Sequence, residues 1–104
     1  MMITAEFSRG QAGFRGLRVS GHSGFADAGE DIVCAAVSSA VMLAANAITD
    51  IVGEDAQVAL GEDELLITLP TPPLESSVVF LQALHLHLTL LSEQYLQHIT
   101  VMEV

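Results

Sequence analysis

The chain has 104 residues, which is enough for one compact domain and leaves little room for a second. Thirteen acidic residues stand against three arginines and no lysine, and a net charge of −10 argues against direct binding to nucleic acid phosphates. The same charge would attract a basic protein partner, or serve solubility alone.

The first twenty residues predict a β-hairpin. In "MITAEFSR" the apolar residues Ile3, Ala5 and Phe7 alternate with polar ones, the period of two that is typical of a half-buried strand. Gly10 and Gly13 bracket a turn, after which "FRGLRVSG" resumes a looser alternation. Residues 21–31 contain three glycines, one histidine and three acids, so they predict a loop.

A helix is predicted from Ile32 to about Val52, with Gly53 as its C-terminal stop. Its apolar stripe recurs at steps of three or four residues and comprises Val33, Val37, Val41, Ala44, Ile48 and Val52. The stretch "DAQVALGEDELLITL" then predicts a second hairpin of two short strands around a turn at residues 61–63.

The run "PTPP" interrupts the strand pattern at Pro70 and is expected to start a second helix, because proline is tolerated in a first helical turn. That helix is predicted from Leu74 to about Gln97, and "HITVMEV" closes the chain as a strand. The order ββαββαβ favours an α+β fold of two layers, in which two helices pack on a mainly antiparallel sheet. The second helix is apolar over much of its surface, which favours a homodimer.

The lone cysteine cannot form an internal disulfide, which favours a reducing, cytoplasmic environment. The N-terminus lacks the basic region and apolar run of a signal peptide. The apolar runs 32–48 and 78–91 are shorter than the roughly 18–20 residues that a membrane span needs, so no membrane is expected. The spacing of the glycines at 21, 24 and 29 fits neither the Rossmann dinucleotide-binding motif nor the P-loop. No cofactor is therefore predicted.

Cys34 is the candidate nucleophile. With Asp31 as N-cap, Cys34 would be the third helical residue, where unpaired amides and the positive end of the helix dipole favour a thiolate. His22 is the only histidine in the adjoining loop, and Gly21 and its neighbouring glycines would let that loop fold over the helix start. The competing interpretation is strong, since cysteine is among the residue types most often buried as core.

Two polar residues accompany Cys34 on the same edge of the helix. Asp31 and Ser38 stand three residues before it and four after it. Asp31 could cap the helix or orient His22, and Ser38 could donate a hydrogen bond or only allow close packing. The other histidines are not expected to bind metal: His85 and His87 lie about 200° apart around a helix, and His98 is expected to be structural and partly exposed.

The stretch "GHSGFADAGEDIVCAAVSS" resembles the signature of the ribosomal-processing cysteine protease Prp family. A Gly-His pair, a short loop and a Gly-x-Asp-Ile-Val-Cys-Ala-Ala-Val-Ser block recur in that family. The resemblance continues into "NAITDIVG" and covers most of the chain, which makes 1–104 a single cysteine protease domain.

The resemblance implies an endopeptidase that removes the N-terminal extension of large-subunit ribosomal protein twenty-seven. It also implies a dimer with a mobile loop over the active site. The family's catalytic cysteine and histidine fall on Cys34 and His22, and its accompanying aspartate and serine fall on Asp31 and Ser38. Two alternatives stay open: a non-enzymatic dimeric adaptor that binds a basic ribosomal protein, and a thiol hydrolase that acts on another substrate.

Overall fold

The computed structural model describes residues 2–21, 28–62 and 64–104, with the backbone alone for 28–31. Five strands and two long helices follow one another in the predicted order ββαββαβ. The strands are β1 (Ile3–Gly10), β2 (Gly13–Ser20), β3 (Gln57–Leu60), β4 (Glu64–Thr68) and β5 (Ile99–Glu103). The helices are α1 (Ala28–Asn46), which continues as a π-helical segment over Ala47–Val52, and α2 (Glu75–Gln94).

The strands form one sheet in the order β3-β4-β2-β1-β5. Neighbouring strands are antiparallel except for β1 and β5, which are parallel because α2 carries the chain back across the sheet. The predicted α+β architecture, with its mainly antiparallel sheet, is therefore confirmed.

Both helices cover the same face of the sheet. Alternate residues of β1, Ile3, Ala5 and Phe7, are fully buried, as the period of two predicts. The core cluster adds residues from β2, β4 and both helices, namely Leu17, Val19, Leu65, Ile67, Val33, Val37, Val41, Ala44, Ile48, Val78, Leu81, Leu84 and Leu88. Every residue of β3 is exposed, because β3 is the edge strand of the sheet.

The β1–β2 hairpin contains an irregularity. Ser8 pairs with Gly16 and Arg9 pairs with Phe14, so β2 has one extra residue, Arg15, at this point of the ladder. Such a bulge bends the strand and changes the direction of the side chain at the extra position. The residues between Gly10 and Gly13 form the turn, as expected from the sequence.

The first helix begins earlier than predicted. It starts at Ala28, so residues 28–31, which were expected to belong to the loop, have helical backbone. The stripe from Val33 to Ile48 is buried as predicted. Val52 is only half-buried, because the last six residues widen into the π-helical segment and its direction changes. Gly53 ends the element in the left-handed region at φ 80°, which confirms the predicted stop.

The second helix is shorter than predicted at both ends. It begins at Glu75, with Leu74 as N-cap, so all three prolines precede the helix and none occupies its first turn. It ends at Gln94, where the amide of Tyr95 still bonds back to Leu91 before the chain turns toward β5. The region between Gln94 and Ile99 forms a compact turn that hydropathy alone did not separate from the helix.

The apolar stretch Ile32–Val52 is longer than the run 32–48 used to argue against a membrane. Its 21 residues, with a mean hydropathy of 1.9, are long and apolar enough for a span by length and composition alone. The length argument from the sequence was therefore wrong for this helix. Its buried stripe packs in the same core as the sheet, which is typical of the central helix of a globular domain.

Candidate active site

Gly21 directly follows Ser20, the last residue of β2. Its φ is +81°, a left-handed conformation that favours glycine. A Cβ atom at this position would also collide with the backbone oxygen of Met2. Gly21 is therefore required by both its backbone conformation and the close approach of the chain at the start of β1.

Cys34 lies at the edge of the core-facing stripe of α1. Its neighbours Val33 and Val37 are 4% and 1% exposed, whereas Cys34 is only half-buried. Cys34 is thus neither fully buried in the core nor fully exposed to solvent. A nucleophile that must meet a large substrate needs this partial access.

The early start of α1 changes the local electrostatics that the sequence predicted. Asp31 lies inside the first turn and is not the N-cap, and Cys34 is the seventh helical residue, not the third. In an α-helix the amide of Cys34 donates to the carbonyl four residues earlier, so it is no longer one of the unpaired amides. The dipole effect is concentrated in the first turn, and its contribution at Cys34 is accordingly smaller than expected.

Ser38, one helical turn after Cys34, lines a small cavity of about 110 Å³. Across the cavity from α1 lie Leu60 and Gly61, at the start of the β3–β4 turn, and Glu64, at its end. The cavity is mostly apolar, and its position beside the Cys34 face of α1 makes it a candidate pocket for a substrate side chain.

The sequence did not indicate this contribution of the β3–β4 turn. The sequence predicted a turn at residues 61–63, which fits the exposed Glu62, but it did not indicate that Gly61 and Glu64 form part of a cavity wall. The pairing of Ser20 with Glu64 brings that turn to the end of the sheet where Gly21 leaves β2. The predicted hairpin contained the turn, but its register against β2 was needed to place it.

An ion-pair network engages the Glu64 side chain on the face of the sheet that carries Arg18, opposite the buried Val19 and Leu65. Arg18 donates to Glu64 at 2.7 Å and to Glu6 at 3.0 Å, across three neighbouring strands. The hydrogen bond to Glu64, and then the one to Glu6, raises the pKa of the Arg18 guanidinium above its ordinary value. The carboxylate of Glu64 is therefore engaged by Arg18, which fixes its orientation.

The remaining histidines occupy three different surroundings. The ring of His85 contacts those of Phe7 and Phe14 at centroid distances of 4.9 and 5.0 Å, whereas His87 lines an exposed groove between the helices. His98 is half-buried, and its carbonyl accepts a hydrogen bond from the amide of Ile3. Over the described ranges, no group of three or more potential ligands could hold a metal ion.

Two of the residues predicted for the site lie beyond what can be compared with the structure. His22 is outside the described residues, and of Asp31 only the backbone is described. The structure brings Cys34 and Ser38 onto one edge of α1 and places Gly21 at the end of β2. The pairing of Cys34 with His22 stays a prediction.

Comparison with known proteins gives one family and one fold. The family model of the cysteine protease Prp matches residues 2–100. The ribosomal processing cysteine protease Prp of Bacillus subtilis (strain 168) is 36% identical over 63 residues, which are 60% of this chain and 56% of that protein.

Two solved structures share the fold over nearly the whole chain. The ribosomal processing protease Prp of S. aureus, in complex with a substrate peptide, matches with a TM-score of 0.89 at 22% identity, over 99% of this chain and 100% of that one. SMU.848 from Streptococcus mutans also matches with a TM-score of 0.89, at 25% identity, over 100% of this chain and 98% of that one. The family match spans both long helices and the start of β5, so the enzyme class expected from the sequence is confirmed at the level of the family: the chain belongs to the cysteine protease Prp family.

Proposed function

We propose that residues 1–104 act as one cysteine endopeptidase domain that removes the N-terminal extension of large-subunit ribosomal protein twenty-seven. Cys34 is the nucleophile, His22 is the general base and acid, and Gly21, Asp31 and Ser38 support them. The observation that carries the proposal is the family match over residues 2–100, combined with the partial exposure of Cys34.

The exposure of Cys34 separates this proposal from the adaptor hypothesis. An adaptor would keep the cysteine as core filler, and the neighbouring Val33 and Val37 illustrate how fully that helix can bury such a residue. Cys34 is instead half-buried, one turn from a cavity that Ser38 lines. This arrangement favours a thiol that a substrate can reach.

The chemistry follows from these groups. The Cys34 thiolate attacks the scissile carbonyl, forms the S–C bond and generates an oxyanion; when the C–N bond breaks, His22 gives a proton to the leaving amine. Water then hydrolyses the thioester and regenerates the thiol. Because Cys34 lies beyond the first turn of α1, we infer that the imidazole of His22, more than the helix dipole, stabilises the thiolate.

The choice of substrate rests on charge and on the relatives. The Bacillus protein is a ribosomal processing protease, and the S. aureus structure contains a substrate peptide. Ribosomal proteins are basic, so a net charge of −10 would increase the rate at which such a substrate meets the enzyme. The same substrate places the enzyme in the cytoplasm, without need of nucleic acid or membrane contact.

The proposed enzyme is a homodimer that buries the exposed apolar surface of its helices. On α2 the residues Val79, Leu86 and Leu90 are at least half-exposed, and on α1 Leu43 is 67% exposed. A groove of about 280 Å³ between the helices is lined largely by apolar side chains. An apolar surface of this kind is typical of an interface.

The dimer can be tested by sedimentation. Leu43→Glu combined with Leu86→Glu should convert the dimer to a monomer, whereas Leu96→Glu, an equally exposed leucine outside both helices, should leave it unchanged. A wild-type protein that sediments as a monomer at micromolar concentration would contradict this part of the proposal.

Cleavage is tested with a peptide that spans the junction between the extension and the mature ribosomal protein. The wild type should cut it at one bond, and Cys34→Ala and His22→Ala should abolish cutting. His98→Gln, a half-buried histidine that directly precedes β5, is the matched control and should cut normally. Cutting by Cys34→Ala would remove the nucleophile from the proposal, and cleavage of a thioester but not of the peptide would favour the thiol hydrolase.

Alkylation tests the state of the thiol without a substrate. Iodoacetamide should modify Cys34 at slightly acidic pH, and His22→Ala should slow this reaction by about tenfold or more, the size of effect that a neighbouring positive charge has on ionisation. Asp31→Asn, in the first turn of α1, should have a smaller effect. Equal rates in wild type and His22→Ala would show that the imidazole does not act on the sulfur.

A further inference from the structure

A second pocket lies at the opposite end of the sheet from Cys34. It has a volume of about 400 Å³ and lies between the β1–β2 turn and the segment Thr71–Pro73. The strand β2 runs from this pocket at Gly13 to the candidate active site beyond Ser20, and its seven-residue rise separates the two ends by roughly 20 Å. The pocket is therefore distinct from the site proposed for proteolysis.

Arg15 reaches this pocket because of the bulge in β2. It is the extra residue between the pairs Arg9–Phe14 and Ser8–Gly16. Its backbone carbonyl accepts a hydrogen bond from the amide of Leu69 at 2.8 Å, which anchors the bulged residue to the end of β4. Bulges of this kind commonly turn a side chain toward a functional site.

The aliphatic part of Arg15 runs alongside Gly10. Its Cβ and Cδ atoms lie 3.5 Å from the position that a Cβ atom would occupy on Gly10, across the hairpin. The stem of Arg15 therefore passes Gly10 at ordinary van der Waals distance. Arg15 lines the pocket together with Pro72 and Pro73, and its side chain is exposed to solvent.

Within the described part of the chain, Arg15 differs from the other two arginines in forming no ion pair. Arg9 pairs with Glu103 at 2.7 Å, and Arg18 pairs with Glu6 and Glu64. Among the described residues no carboxylate forms an ion pair with Arg15, although the chain has thirteen acidic residues for three arginines. An uncompensated cation beside an apolar pocket is complementary to an anionic group on a ligand.

We propose that this pocket binds a small carboxylate with an apolar body, such as an aromatic or short aliphatic acid. The carboxylate would pair with the Arg15 guanidinium, and the body would lie against Ala12 and the two prolines. The volume is within the range of small-molecule sites, which are mostly apolar with a few fixed polar groups.

The local charge favours a monoanion over a phosphate dianion. One guanidinium matches one carboxylate in a two-pronged hydrogen bond. Glu75 lies in the adjacent cleft that shares Ala12 and Pro73 with the pocket, so a second negative charge would be repelled. The net charge of −10 adds to that repulsion.

The test uses 4-fluorophenylacetate as the probe and amide chemical shifts of the full chain as the readout. The wild type should bind it saturably with a dissociation constant of roughly 3 mM, as expected for a ligand of this size, with the largest shifts at Gly10 and Gly13. Arg15→Gln should weaken binding by about tenfold or more, whereas Arg18→Gln, on the same strand at its other end, should leave it unchanged.

Two further probes complete the test. The neutral alcohol 2-(4-fluorophenyl)ethanol should bind at least about tenfold more weakly than the acid, because it lacks the charge that Arg15 recognises. 4-Fluorophenyl phosphate should bind no better than the acid. Absence of saturable binding by the wild type, equal affinity of acid and alcohol, or unchanged affinity in Arg15→Gln would overturn the proposal, and tighter binding of the phosphate would overturn its choice of monoanion.

Discussion

Replacing Glu54 by alanine should destabilise the protein by about 2–3 kcal/mol, because this side chain links the end of the first helical element to the start of α2. Glu54 is 8% exposed, and its carboxylate accepts a hydrogen bond of 2.7 Å from the amide of Leu74, the N-cap residue of α2. Leu74 has no side-chain acceptor of its own for the amides of the helix start. The carboxylate of Glu54 therefore takes from a distance the place of the N3 glutamate in a capping box, which accepts from the amide of the N-cap residue.

Two contributions make up this magnitude. Leaving the partly buried Leu74 amide without its charged acceptor costs about 1–3 kcal/mol. Removing a negative charge from a helix N-terminus costs a further 0.3–1 kcal/mol, roughly. Glutamine keeps the acceptor oxygen and loses only the charge, so Glu54→Gln should cost about 1 kcal/mol.

Thermal and urea unfolding measure the effect. For a chain of this size a loss of 2–3 kcal/mol lowers Tm by roughly 10–20 °C. Asp55→Ala is the matched control, since Asp55 is the exposed next residue and should change stability by less than about 0.5 kcal/mol. Glu54→Ala and Asp55→Ala of equal stability would refute the capping role, and Glu54→Gln as unstable as Glu54→Ala would assign the effect to charge alone.

Three further predictions concern stability. Ser77→Ala should be neutral or should stabilise the protein by up to about 1 kcal/mol in urea unfolding. The reason is that the fully buried Ser77 hydroxyl has no hydrogen-bond partner within the described structure, and alanine is the better helix former. A clear loss of stability would contradict this. Gly21→Ala should lower Tm through a loss of about 1–3 kcal/mol, because its φ of +81° and the nearby Met2 oxygen both oppose a side chain; an unchanged Tm would show that the backbone relaxes freely. The hydrogen bond from Arg9 lowers the pKa of Glu103, so the stability that this carboxylate adds is present above its ordinary pKa and is lost as pH falls through the lowered value. Glu103→Gln should accordingly have a lower Tm than the wild type at neutral pH and converge with it in acid, whereas a constant difference across the titration would exclude this cause.

Local patterns in the sequence were sufficient for most of the fold. The burial of Ile3, Ala5 and Phe7 follows from alternation, and the burial of Val33 through Ile48 follows from the helical period, because each depends only on neighbours along the chain. Gly53 was recognisable as a helix stop because glycine readily adopts the left-handed conformation that commonly ends a helix, and its φ of 80° shows that conformation.

Other features depend on contacts between distant segments. The bulge at Arg15 and the cavity wall at Gly61 arise from the register of β2 against its two neighbours, which no single strand encodes. The cap that Glu54 provides for Leu74 joins residues 20 positions apart. A sequence pattern can indicate that a helix lacks a local cap, but it cannot indicate which distant carboxylate replaces it.

The start of α1 is the difference with the greatest consequence for function. Asp31 has strong N-cap character, and the sequence alone favoured a helix that begins immediately after it. The helix begins at Ala28 instead, so the dipole of α1 acts most strongly about one turn before Cys34. The helix dipole therefore offers less to a Cys34 thiolate than the sequence suggested, and in the proposed mechanism the imidazolium of His22 takes that role. Reactivity of Cys34 should therefore depend on the protonation of an imidazole and fall when that imidazole is removed, whereas a thiolate that survives His22→Ala would restore the helix terminus as its main cause.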